Sequence, residues 1–70
     1  MYYIVRADYY SNGEIIPLGI TDNQGYSQYL RKVKVNKKSD SELHFDCLTN
    51  TGKKVVLLFS KGKWKVIFFN

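Results

Sequence analysis

Seventy residues, 44% apolar, 16% aromatic and 24% charged, with a formal net charge of +5, make one small globular domain. A chain of this length buries only about 60% of the surface its unfolded form exposes, so its core is small. That excludes a two-lobed enzyme and a doubly wound nucleotide-binding sheet, and the balance of apolar and charged residues excludes disorder.

Residues 2–10 read as a strand with Tyr3, Val5, Ala7 and Tyr9 on one face and Arg6 and Asp8 on the other. Ser11-Asn12-Gly13 supplies a hairpin turn, because Asn-Gly tolerates the positive φ that such turns require. Residues 15–21 follow, with Ile16, Leu18 and Ile20 expected on one face and Pro17, Gly19 and Thr21 on the other. Pro17 has no N–H to give to a ladder, so a free edge or a bulge is expected there. Asp22-Asn23-Gln24-Gly25 is the second turn.

Residues 26–35 carry two patterns. Tyr26, Tyr29, Leu30 and Val33 fit helical spacing, whereas Val33 and Val35 alternate with Lys32 and Lys34 as in a strand. We read a strand bent near Leu30, with a short helical turn at 26–31 as the alternative. Residues 36–41 read as a polar loop. Leu43, Phe45 and Cys47 then alternate with His44 and Asp46 as a half-buried strand, and Asn50-Thr51-Gly52 turns the chain. Val55 to Phe59 is apolar on both faces, the pattern of a strand covered on both sides. Lys61-Gly62-Lys63 turns into a last strand at 64–69. These spacings predict an all-β domain over residues 1–70: a five- or six-stranded antiparallel meander curled into a small barrel or sandwich.

The block Tyr10-Ser11-Asn12-Gly13-Glu14-Ile15-Ile16-Pro17-Leu18-Gly19-Ile20 resembles the opening of a group of small uncharacterised bacterial proteins, in which a tyrosine, a turn with glycine and Ile-x-Pro-Leu-x-Ile recur. The resemblance continues from Leu30 to Val33, at Gly52 to Phe59 and at Trp64-Lys65-Val66. Tyr29, Lys34 and a shorter 36–41 loop depart from the group's pattern. What it implies is a shared fold and at most an association with nucleic-acid metabolism. Every matched residue reads equally well as turn or core, so it implies no site.

Charge is unevenly placed. Residues 1–30 hold Arg6 against Asp8, Glu14 and Asp22, a net of −2, while residues 31–70 hold ten bases against Asp40, Glu42 and Asp46, a net of +7. Such asymmetry can steer a polyanion, and the plainer reading is a solvated face that protects edge strands. Cys47 is alone, so no intramolecular disulfide forms, and a cytoplasmic location is expected of a domain without bridges. Residues 1–6 lack the pattern of a signal peptide, and no apolar run is long enough to span a bilayer as a helix. No membrane association is expected.

Chemistry is sparse. His44 and Cys47 are three apart in a strand and point to opposite faces, so they cannot act as a nucleophile and base pair. Cys47 shares its face with Leu43 and Phe45 and reads as a core thiol. His44 and Asp46 share a face, but two mixed ligands do not make a zinc site. Thr51-Gly52-Lys53-Lys54 lacks the first glycine and the following helix of a phosphate-binding loop. The chain therefore reads as non-enzymatic, with no metal and no cofactor.

Two binding readings remain. The first is a basic face for nucleic acid or another polyanion, built from Arg6, Lys32, Lys34, Lys61, Lys63 and Lys65. Tyr2 and Tyr10 would add stacking surfaces, unless they pack at the barrel rim. The second is a homodimer or protein-interaction module. Val55, Leu57 and Phe59 fill the core, which leaves Val56, Leu58, Ile67 and Phe69 on the reverse face of the last hairpin.

Overall fold

The computed structural model describes residues 2–39 and 41–69. Six strands run in chain order: β1 (Tyr3–Tyr9), β2 (Ile15–Asp22), β3 (Ser27–Lys38), β4 (Glu42–Thr49), β5 (Lys54–Ser60) and β6 (Lys63–Phe69). Each pairs antiparallel with the next, and the sheet curls into a half-barrel in the order β1-β2-β3-β4-β5-β6. The fold class is all-β, as expected. Among the described residues no helix is long and apolar enough to cross a membrane.

Short polar segments set the hairpins. Three of them close the same way: Gly13 N–H donates to the Tyr10 carbonyl, Gly25 N–H to Asp22 and Gly52 N–H to Thr49. In each the glycine sits at a φ near +90°, the left-handed step that lets a tight turn rejoin the ladder. Asn12 contributes its side chain instead, its Oδ1 accepting from the Glu14 N–H at 3.0 Å. The positive φ expected of Asn-Gly therefore falls on Gly13 alone. The last hairpin differs, since Lys61 and Gly62 both take positive φ, 53° and 76°, in a two-residue turn.

Pro17 marks a bulge, and the bulge reverses the expected facing of β2. Arg6 pairs with Gly19 and Ala7 with Pro17, so Leu18 is an extra residue with no partner on β1. Side-chain direction slips by one across it. Pro17 and Ile20 are buried, while Ile16 and Leu18, expected beside Ile20, are exposed.

β3 is a single twelve-residue strand, without the helical turn at 26–31 and without the loop expected from residue 36. It runs on to Lys38 by means of two register shifts, at Leu30/Lys32 and at Val35/Lys37. The first is the bend expected near Leu30. It lets one strand serve two neighbours: Ser27 to Tyr29 pair with β2, and Leu30 onward pairs with β4. Beyond Tyr29 the two halves part, leaving a cleft of about 290 Å³ lined in part by Ile15, Ile16, Val33 and Phe45.

Inside the curl lie Ile20, Phe45, Cys47, Val55 and Leu57, each buried, with Val5, Leu30, Val33 and Val66 packed around them. Aromatic rings close the open side where no ladder joins β1 to β6. Tyr3 meets Phe68 at 5.3 Å between ring centres, Tyr9 meets Phe59 at 6.3 Å, and Phe59 meets Trp64 at 4.7 Å. Such tilted ring pairs favour edge-on contact between unlike parts of the ring quadrupole.

Candidate nucleic-acid interface

Strand alternation decides which lysines share a surface. Because Trp64, Val66 and Phe68 turn inward, Lys63, Lys65 and Ile67 turn outward on β6. On β3 the inward Val33 leaves Lys32 and Lys34 outward, and on β5 the inward Val55 leaves Lys54 outward. Ladder pairing places these side by side. One row runs Lys32–Leu48–Lys54–Phe69, the next Lys34–Asp46–Val56–Ile67, and a third carries His44–Leu58–Lys65. Lys32, Lys34, Lys54, Lys63 and Lys65 therefore share the outer face of β3–β6.

Sequence reasoning found four of those five. Lys54 was missed because it follows a turn, although its place one residue before the buried Val55 already puts it outward. Lys61 belongs to the turn itself and shares no row with the others. Arg6 is outward too, but on β1, at the other end of the pairing order from β6. An open depression of about 520 Å³ lies on the β3–β5 face, lined in part by Lys32, Asn36, Asp46, Lys54 and Val56.

Negative charge on this face is limited. Asp46 stands beside Lys34, and the Glu42 carboxylate is engaged with the His44 imidazole Nε2 two residues along β4. Among the described residues that is the one ion pair, so none of the five lysines is held by a carboxylate. Among them, too, no three His, Cys, Asp or Glu side chains come together. Cys47 faces the core, and burial, with a smaller contribution from the Asp46 charge, pushes its thiol up to about 11.

The apolar residues expected on the reverse face are less bare than the alternation implied. Val56, Leu58 and Ile67 are half-buried: Val56 stands between Asp46 and Ile67, Leu58 between His44 and Lys65, and Ile67 on the edge strand beside Val56. Val55 and Leu57 are buried on the inner face of β5, while Val56 and Leu58 on its outer face are half-buried. Phe69 pairs through its backbone with Lys54, and its side chain lies outside the described residues.

The most exposed large side chains are instead on the first half of the chain. Tyr2, Tyr26 and Tyr29 are 71%, 72% and 70% exposed, with Ile4, Leu18 and Tyr10 also open to solvent. Tyr10 and Tyr2 do not pack as rim residues. Tyr29 also fits the helical spacing of Tyr26, Leu30 and Val33, but it lies in β3, and its position opposite Gly19 turns it outward.

Gly19 gives this region its shape. It pairs with Arg6 on one side and Tyr29 on the other, so the row Arg6–Gly19–Tyr29 crosses three strands. A Cβ on Gly19 would lie 3.4 Å from the Arg6 Nη2 and 2.9 Å from the Gln28 carbonyl oxygen. The guanidinium thus lies over the bare glycine backbone. The Tyr29 backbone is fixed on its other side, where its carbonyl accepts from the Asn50 N–H at 2.9 Å. Comparison of the chain with protein-family models, with curated proteins and with solved structures finds no match.

Proposed function

We propose that this domain is a non-enzymatic binding module whose outer β3–β6 face takes nucleic acid. The observation that carries the reading is the convergence of Lys32, Lys34, Lys54, Lys63 and Lys65 on one face, none of them ion-paired among the described residues. Lysines on a rigid sheet neutralise phosphates and release condensed counterions, a term that needs no base-specific contact. Arg6 and the exposed Tyr29, in one row through Gly19, add a cation and an aromatic ring to the outer surface, which favours nucleic acid over a polyanion without aromatic parts. The half-burial of Val56, Leu58 and Ile67 weighs against a homodimer through that face, since little apolar area is left for a partner to cover.

The test is reversal of charge. Lys63→Glu with Lys65→Glu should cut affinity for a labelled oligonucleotide by at least tenfold at low salt while leaving the fold intact by circular dichroism. Unchanged affinity in that double variant contradicts the placement of the face.

A further inference from the structure

We infer that the Arg6–Gly19–Tyr29 row is a base-and-phosphate subsite, and that the ligand of the basic face is therefore single-stranded. The inference rests on the nucleic-acid reading and adds the strandedness to it. Tyr29 is 70% exposed at a backbone position fixed from both sides by Gly19 and Asn50. An exposed ring on a fixed backbone offers a flat surface to one base face, and only an unpaired base can turn to lie on it. Adjacent strands lie about 4.8 Å apart, so the Arg6 guanidinium, drawn over Gly19, stands about one strand from the strand that carries Tyr29. That spacing suits a phosphate next to a stacked base. Among the described residues no carboxylate pairs with Arg6, although Asp8 follows on the same face of β1.

Gly19 is what makes the arrangement open. Any side chain there would stand between guanidinium and ring, and would meet the Gln28 carbonyl before it did so. Leu18 and Ile4, both exposed, flank the row on β2 and β1. The lysines of β3–β6 then take the phosphates that follow, and Lys32, three residues beyond Tyr29, begins that track.

The experiment compares three labelled ligands of equal length, about twelve nucleotides: an oligothymidylate, an abasic strand with the same phosphates, and a blunt duplex. Anisotropy should give the thymidylate an affinity on the order of tenfold above the abasic strand. Tyr29→Ala should bring that ratio to one without weakening the abasic strand, and Tyr29→Phe should retain it. Arg6→Gln should make the single-strand salt slope shallower by about 0.7. If wild-type protein binds thymidylate and abasic strand equally, or binds the duplex more tightly than either, the subsite is wrong and the basic face stands. If none of the three binds at low salt, the basic face fails with it.

Discussion

The Trp64 indole N–H donates to the Tyr9 hydroxyl at 3.1 Å, tying the last strand to the first across 55 residues of chain. No ladder spans that side of the half-barrel, so the bond and the rings around it hold β1 against β6. Tyr9→Phe removes the acceptor and keeps the ring against Phe59. Because Tyr9 is 61% exposed, the loss should be about 0.5 kcal/mol, at the low end for a hydrogen bond. Tyr9→Ala also gives up the ring contact and should cost about 1 kcal/mol more. Urea unfolding followed by Trp64 fluorescence measures both.

Strand alternation made much of this fold readable. Phe45 and Cys47 are core and alternate with His44 and Asp46, Val55 and Leu57 continue that parity on β5, and each expected hairpin turn contains its glycine. What alternation does not carry is where a bulge falls. Leu18 is the extra residue only because Pro17 meets Ala7 on another strand, and that slip exposes Ile16 and Leu18 together. The polar run from residue 36 stays in β3 for a similar reason, since a second register shift keeps it paired with β4. Of the proposed site, the lysine face follows from parity within each strand. The Arg6–Gly19–Tyr29 row does not, because it exists only after three strands are placed in register.

Gly19→Ala should destabilise the domain by about 1–3 kcal/mol. The cause is steric, for the added Cβ would stand 2.9 Å from a backbone oxygen that has little freedom to move. The same change should weaken thymidylate and abasic binding alike, as the phosphate-binding guanidinium is displaced. Thermal unfolding and the ligand comparison above check the two parts separately.

Lys61 occupies a left-handed position at φ 53°, where a lysine is strained and an asparagine is at ease. Lys61→Asn should therefore raise stability by about 0.5–1 kcal/mol. Because Lys61 sits in the turn and off the lysine rows, the substitution should leave the salt dependence of binding unchanged. A decrease in stability would mean the turn is not the two-residue type described.

The Cys47 thiol, pushed up to about 11 by burial and by Asp46, links stability to alkaline pH. An unfolded thiol titrates near 8.5, so between roughly pH 8.5 and 11 the unfolded chain has released a proton that the folded chain keeps. Stability contributed by the neutral buried thiol is thus present below pH 8.5 and lost as the pH rises through that window. Cys47→Ala removes the component, so the stability difference between wild type and variant should narrow across it. In the native protein a disulfide reagent should modify Cys47 slowly at pH 8, and quickly once urea unfolds the chain.

The most direct measurement is the anisotropy of a labelled single strand titrated with the protein at several salt concentrations. Five lysines on one face, together with Arg6, imply a log–log slope of about −4 for single-stranded nucleic acid. Binding that falls with such a slope supports the basic face and makes its lysines the place to look for orientation along the strand. Flat anisotropy at the lowest salt, where phosphate contacts are strongest, contradicts it and leaves those lysines as solvation and protection of the sheet.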